Sequence, residues 1–442
     1  MRADLLAAVR QVSRAISSSG FVCRMVGGAV RDMLRGREPD DVDLVTTARP
    51  EELEKIFPDI RWAGKAFGVS LLKVDGFTFE LASARRERTY LDGRHPENIE
   101  FSRSLEDDVV RRDFTVNALL CDPETLEITD LVGGAEDVRH GVIRTVGVAE
   151  ERFSEDALRM LRAVRFAAKT GFKIEPSTFS AIKKLAENVR MLAPERVKSE
   201  LDSIFTSPGR AAALDILCHT GLLKHILPEV AALKGVKQEK RFHPEGDVYT
   251  HTRIMLDMMV YPDPALAWSV LLHDTGKKYT TFTDSTGRIR AFGHEEKGAV
   301  IAGEVAERLR FSVPEREAVV RAVRNHMRMA NVREMKIAKL KKLLHDENFP
   351  LELELHRLDC MSSHRMRECW LYLIDKLREI PQDELAPEPF VTGKELISLG
   401  GRPGPHFKKI IDRLYDDQLS GKFPCREAAL AEAAKMLEAA QK

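Results

Sequence analysis

No Cys-x-x-Cys pair occurs anywhere in the chain. Its six cysteines (Cys23, Cys121, Cys218, Cys360, Cys369 and Cys425) are scattered through 442 residues. That scatter argues against structural zinc or a disulfide framework and for a reducing compartment, so a cytoplasmic location is expected. No run reaches the roughly 18 apolar residues of a membrane span, and the opening Met1-Arg2-Ala3-Asp4 lacks the apolar core of a signal peptide. Aromatic residues make up only 7%, which leaves few platforms for base stacking. Net charge is also missing: 69 basic side chains balance 69 acidic ones, so a global pull toward nucleic acid is excluded, though a local basic face is not. There is no internal repeat and no low-complexity tract.

What is present is an ordinary globular composition, 43% hydrophobic and 31% charged, in a chain long enough for several compact units. Leu5, Leu6, Val9, Val12 and Ile16 recur at helical spacing and predict an opening helix over 3–19. Up to about Asp122, short β-rich runs (21–26, 42–45, 69–74, 77–81) alternate with helical stretches near 29–34 and 51–57. Beyond Ser154 the pattern is helical almost to the end, broken near Asn188, Pro194, Pro208 and Pro228. The fold class is therefore α+β followed by all-α. The expected division is a head (1–150), a helical neck (151–235), a helical body (236–375) and a helical tail (376–442).

Three segments of the head carry chemistry. Val26-Gly27-Gly28-Ala29-Val30-Arg31-Asp32 places a glycine pair between strand and helix. It is either a plain turn or one whose N–H groups approach a phosphate, with Arg31 one turn further on. Asp41 and Asp43, in Asp40-Asp41-Val42-Asp43-Leu44-Val45, enter a strand at i and i+2 and so project to one side. Two such carboxylates repel unless cations lie between them, and Mg²⁺ favours carboxylates shared with substrate phosphates. A pair of Mg²⁺ ions there activates an attacking hydroxyl and stabilises a leaving pyrophosphate. The third segment, Arg111-Arg112-Asp113-Phe114-Thr115-Val116-Asn117-Ala118-Leu119, reads as the opening of an amphipathic helix, with Arg112 available to nucleotide phosphate or sugar.

Together, in this order and spacing, the three segments resemble the head of the class II tRNA nucleotidyltransferases and bacterial poly(A) polymerases, and the resemblance runs to about residue 230. It implies a DNA polymerase β-like head, with Asp41 and Asp43 holding Mg²⁺ and Gly28, Arg31 and Arg112 on the triphosphate.

Further on, Glu155 to Phe166 reads as a helix capped by Ser154, with Asp156 and Arg159 three apart on one face. The pair is either a surface salt bridge or a reader of bases. Cytosine and adenine both offer an amino donor beside a ring acceptor, which a carboxylate and an arginine match. Uracil and guanine turn a carbonyl toward the carboxylate, and the unmade hydrogen bonds reject them. The segment resembles the Glu-Asp-x-x-Arg amino-acid template of the same family, which implies that Asp156 and Arg159 select the base and that Arg162 and Arg165 contact nucleotide. Arg88 to Pro96 resembles the loop needed for adding the last A, and Glu195 to Leu201 the element supporting the neck. Gly64 to Val69 departs from the family, where a more polar strand is expected.

A second constellation comprises His251, His273-Asp274 within Leu-Leu-His-Asp-Thr-Gly-Lys, His294, His326 and Asp359. Adjacent His and Asp at a helix end suit Mn, Fe, Ni or Mg. His273-Asp274-x-Gly276-Lys277 resembles the HD phosphohydrolases, which implies a second divalent metal on His251, His273, Asp274 and Asp359. In nucleotidyltransferases with this domain, the resemblance implies phosphatase and cyclic phosphodiesterase activity on terminal phosphates. Within the same stretch lies a basic run from Arg321 to Lys342 with Glu334 its one acid. It is a solvated face or a phosphate-binding one, and Arg321, Arg324, Arg328 and Lys339 are the candidates for tRNA contact.

The expected function is addition or repair of the tRNA 3′-terminal CCA from CTP and ATP, with tRNA as partner and no membrane. The alternatives are an enzyme adding only the last A, a poly(A) polymerase, or a degraded tRNA-binding head attached to a working HD enzyme.

Overall fold

The computed structural model describes residues 1–87 and 99–441, so the expected A-adding loop at 88–96 lies outside the described residues. The chain divides into two compact units, residues 1–231 and 232–442.

In the first unit, helix α1 (Ala3–Ser18) buries the stripe Leu5, Ala8, Val9, Val12 and Ile16. A seven-stranded mixed sheet follows. Its central members are β1 (Cys23–Val26) and β2 (Asp43–Thr46), separated by α2 (Gly28–Leu34). Helix α3 (Pro50–Ile56) leads into β3 (Arg61–Gly64), β4 (Val69–Val74) and β5 (Phe77–Ser83). Strand β2 runs antiparallel to β1 and parallel to β5, in a register that sets Asp43 beside Val26 on one side and Glu80 on the other. Along β5 the alternation of Phe77, Phe79 and Leu81 with Thr78 and Glu80 turns the apolar residues inward, burying Phe79 and Leu81 and leaving Glu80 exposed. Val26, Val45, Val109, Ala118, Leu120 and Val146 form a core beneath this part of the sheet.

Two helices expected from sequence take other forms. The apolar run 114–121 is not an amphipathic helix but a single 3₁₀ turn (Thr115–Asn117) leading into a short strand (Leu120–Cys121) that pairs with β1. Its residues are buried on every side, so a one-faced helix would not serve them. A helix, α4 (Leu105–Val110), instead precedes the two arginines. Likewise 155–166 is not one helix. After α5 (Gly134–His140), helix α6 (Ala149–Glu155) ends at Asp156 (φ −144°, ψ 105°), and α7 (Leu158–Thr170) begins two residues later. Ser154 caps nothing, since its hydroxyl donates back to Glu150 O at 2.8 Å. Asp156 is the capping side chain, accepting from Leu158 N at 2.9 Å. Helices α8 (Pro176–Leu185) and α9 (Pro194–Phe205) continue the unit, and α9 lies along α7.

The second unit is helical around the helix Pro264–Leu272, whose residues from Leu266 to Leu272 are all buried. Apolar on every face, it is a central helix, and it delivers His273 and Asp274 at its C-terminal end. Helices Val248–Asp257, His294–Arg308, Val313–Asn325 and Phe349–Ser362 surround it. The tail has its own core, in which Leu396, Phe407, Ile410 and Leu414 meet Ala429, Ala433 and Leu437 of the last helix. Among the described residues, no helix is long and apolar enough to cross a membrane.

Candidate functional site

The first unit gathers its polar residues around Asp43. Gly27 takes φ 76°, and a Cβ there would come within 3.2 Å of Asp43 Oδ2, so the turn fits against the carboxylate only as glycine. Glu80 joins from the adjacent strand and Asp41 from two residues upstream. Burial, then the charges of Glu80 and Asp41, push the Asp43 carboxyl up to about 6, against the opposing pull of Arg112. Sequence reading missed Glu80. Its signal is the polar phase of the β5 alternation, which becomes meaningful only once β5 is known to lie parallel to β2.

The arginines near this cluster are held by a network. Arg31 is 3% exposed and donates from Nη1 to Asn117 Oδ1 at 2.8 Å, with Asp32 at 3.1 Å from its Nε. A Cβ on Gly28 would lie 3.3 Å from its Nη2. Arg112 donates from Nε and Nη2 to Asp108 Oδ2 at 3.0 and 2.8 Å, and from Nη1 to Asn117 O at 3.4 Å. Asn117 thus joins Arg31 through its side chain to Arg112 through its backbone. Asp108 has no exposed surface and accepts from Arg111 as well; burial raises its pKa, but Arg112 and Arg111 outweigh burial and hold it below the usual carboxylate range. Neither Asp108 nor Asn117 stands out in the sequence, although Asp108 lies three and four residues before its arginines.

At α7 the expected pairing of Asp156 with Arg159 does not form. Asp156 is not helical, so the two do not share a helix face. Asp156 Oδ2 accepts from Arg196 Nη2 of α9 at 3.1 Å, while Arg159 pairs with Glu155 and donates to the carbonyls of Arg152 and Arg111 at 3.1 and 3.3 Å. Arg162 donates to Asp113 Oδ2 at 2.8 Å, and Arg165 lies 3.3 Å from Glu200 Oε1. Both guanidinium groups lie over the Phe166 ring, 5.4 and 5.0 Å from its centroid. Arg159, Arg162 and Arg165 therefore follow one another along α7 with partners from α6, α9 and the Arg111–Asp113 segment, while Asp156 stands in the break before its first turn.

In the second unit His251, His273, Asp274, His294, His326 and Asp359 converge, and the four imidazoles are all buried. His251 Nε2 lies 3.1 Å from Asp359 Oδ1, and His273 Nε2 lies 3.2 Å from Asp274 Oδ2. Glu245, absent from the sequence reading, accepts from His251 Nδ1 at 2.8 Å and from His243 Nδ1 at 2.9 Å. Burial works against its charge, yet those two bonds bring it down to about 2. Burial, then His273, push His326 down to about 3, so it stands as neutral imidazole, the form that ligates metals. Gly276 admits a tight crossing: a Cβ there would meet His294 O at 2.0 Å. A cavity of about 550 Å³ opens over this cluster, with Lys237, Lys277, Arg288 and Arg290 in its lining.

The basic run is partly neutralised within its own unit. Arg321 pairs with Asp346, Arg324 Nε lies 3.2 Å from Glu296, and Arg328 Nη2 lies 3.2 Å from the buried Glu352. Lys339 is exposed. The acids come from outside the run, which is why the sequence window reads as uncompensated.

Family models match for the Poly A polymerase head domain over residues 23–144, for the probable RNA and SrmB-binding site of polymerase A over 171–234, and for the HD domain over 248–355. A CCA-adding enzyme of Geobacillus kaustophilus is 42% identical over 227 residues, 51% of this chain and 55% of that one, so the match spans about half the length of that relative. A CCA-adding enzyme of Levilactobacillus brevis is 30% identical over 425 residues, 96% of each chain. Among solved structures, the Bacillus stearothermophilus CCA-adding enzyme in complex with CTP superposes with a TM-score of 0.75 at 25% identity, covering 100% of this chain and 99% of its own.

Proposed function

The chain belongs to the family of CCA-adding enzymes, and we propose that it adds or repairs the 3′-terminal CCA of tRNA from CTP and ATP without a nucleic-acid template. The observation that carries this reading is the convergence of Asp41, Asp43 and Glu80 beside the Gly27–Gly28 turn, with Asp43 pushed up to about 6 by burial and by the charges of Glu80 and Asp41. Oxygen donors crowded by like charge suit Mg²⁺, and Asp41 and Asp43, with Glu80 beside them, would hold a pair of ions. Bound Mg²⁺ supplies Lewis-acid activation of the 3′-hydroxyl and charge neutralisation on the leaving pyrophosphate.

The side chains supply positioning. Gly28 lets the chain approach a phosphate closely, and Arg31 and Arg112, fixed through Asn117, present charge to the triphosphate. The tRNA 3′-oxygen bonds to the α-phosphorus of CTP or ATP, the bond to the β-phosphate oxygen breaks, and pyrophosphate leaves. Asp156 and Arg159 read the base, while Arg162 and Arg165 contact the same nucleotide. Arg321, Arg324, Arg328 and Lys339 are assigned to the tRNA backbone.

The test is incubation of tRNA lacking CCA, or ending in C or CC, with each labelled nucleotide. Two C additions followed by one A, then arrest, are expected. Extension of the CC-ended substrate alone would make this an A-adding enzyme, and an unlimited A tail would make it a poly(A) polymerase.

Protons and Mg²⁺ compete for Asp43. At limiting Mg²⁺, addition should fall as pH drops through about 6, and excess Mg²⁺ should move that midpoint to lower pH. A midpoint indifferent to Mg²⁺ would remove Asp43 from the metal site.

The second unit supports a second activity, metal-dependent phosphohydrolysis. His251, His273, Asp274 and Asp359 offer the nitrogen and oxygen donors of a divalent cation, and the lysines and arginines of the adjoining cavity suit a phosphate anion.

A further inference from the structure

A second groove, of about 740 Å³, adjoins the cavity over the histidine-aspartate cluster and shares Arg241, Ser363 and His364 with it. Its apolar lining comes from two helix ends. Ile254 and Met258 stand four residues apart, the one within the helix Val248–Asp257 and the other at its C-cap, and so share a face. Met361 comes from the last turn of the helix Phe349–Ser362. All three are half-buried. Methionine is unbranched and polarisable, so a pair of them makes a lining that adapts to a flat apolar body.

The polar lining is of two opposite kinds. Arg241 and Arg365 are exposed on the groove, and neither has a carboxylate partner among the described residues. Arg365 is set there by a left-handed backbone, φ 59°, with its N–H donating to Cys360 O at 2.7 Å. Glu245, by contrast, has a side chain only 6% exposed. Its Oε1 accepts from His243 and His251 at 2.9 and 2.8 Å, while its Oε2 is shielded from solvent and has no hydrogen-bond partner among the described residues. A buried carboxylate oxygen without a donor is a standing cost, which a donor brought by a ligand removes.

We propose that this groove binds a nucleotide whose base carries an exocyclic amino group. The base lies on Met258 and Met361, the amino group donates to Glu245 Oε2, and Arg241 and Arg365 hold the phosphate. The volume is that of a small-molecule pocket, and the planar guanidinium forks match phosphate oxygens. The free oxygen of Glu245 decides among bases. Adenine and cytosine bring it a donor, whereas hypoxanthine and uracil set a carbonyl against it. An apolar anion with no donor leaves the same oxygen unpaired. The groove belongs to the second compact unit, apart from the nucleotide site of the head, and its lining needs no metal, so the proposal does not depend on the phosphohydrolase reading. A free nucleotide and the last residue of an RNA strand present this same chemistry.

The test is a titration of the full chain, free of divalent cations, followed through the ¹³C-methyl resonances of its methionines. Met258→Leu and Met361→Leu assign the two signals. AMP and CMP should move both, and IMP and UMP should bind about tenfold more weakly. Inorganic phosphate alone should leave them in place. Nucleotide bound in the head disturbs the head's own methionines, so these two signals report the groove. Glu245→Gln should abolish the difference between AMP and IMP, and the comparison of the two ligands on the unaltered chain stands even where that variant misfolds. A response to AMP supports a free nucleotide, and a response only to an oligoribonucleotide ending in A supports an RNA end. Signals unmoved by AMP, CMP and the oligoribonucleotide would overturn the site. Equal responses to AMP and IMP, or a response to phosphate equal to that to AMP, would overturn the recognition of the base.

Discussion

Asp43→Asn is expected to reduce nucleotide addition by on the order of 10³, about 4 kcal/mol of transition-state stabilisation, while tRNA binding persists. Asparagine keeps the shape and removes the charge that a metal pair needs. The same change should raise the melting temperature of the metal-free protein at neutral pH. The sign follows from the folded carboxyl being held at about 6, above its unfolded value of 3.8. A group raised in this way contributes stability below the unfolded pKa and loses it as pH rises through the folded one. At pH 7 to 8 the ionised Asp43 therefore opposes folding, and asparagine relieves it; near pH 4 the gain should vanish. Loss of activity together with a gain in stability separates a functional carboxylate from a structural one. Asp41→Ala should also abolish addition. If either variant kept more than about a tenth of wild-type turnover, the loss would be under about 1.4 kcal/mol and the metal assignment would be wrong.

What could be read from the sequence was local. The Gly27–Gly28 turn, the Asp41–Asp43 spacing and the His273–Asp274 pair each lie within a few residues, where backbone periodicity fixes which side chains share a face. The strands carrying them were also legible, because β2 and β5 keep a simple apolar pattern. Glu80 was not, since its place beside Asp43 depends on a parallel register between strands separated by two others in sequence. Distant partners of the arginines escaped for the same reason: Asn117 fixes Arg31, and Asp346, Glu296 and Glu352 compensate Arg321, Arg324 and Arg328. The misread helices show a different failure. At 114–121 burial on all sides mimics part of a helical pattern, and at 155–158 a capping aspartate breaks a sequence whose propensity is helical throughout.

That break bears on base choice, where the second large effect is expected. Asp156 both caps α7 and accepts from Arg196, so Asp156→Ala removes a cap worth about 1 kcal/mol along with a base-reading acceptor. Asp156→Asn separates the two roles. Its side-chain oxygen still caps the helix, but it can turn an amide donor toward the nucleotide. If the carboxylate reads the amino group of C and A, both variants should raise UMP and GMP incorporation relative to CMP and AMP. Only the alanine variant should melt appreciably lower. Arg159→Ala should instead weaken C and A directly, by roughly 1.5–3 kcal/mol for a charged donor to a ring acceptor. It should also lower the melting temperature, because Glu155 and the carbonyls of Arg152 and Arg111 lose their buried partner. The measurement is kcat/KM for all four nucleotides on tRNA ending before each position. Unchanged ratios in folded Asp156→Asn and Asp156→Ala would leave Asp156 a cap and a partner of Arg196, with the base chosen elsewhere. The phosphoryl-transfer site around Asp43 would stand, because nothing in its geometry depends on which base the neighbouring helix admits.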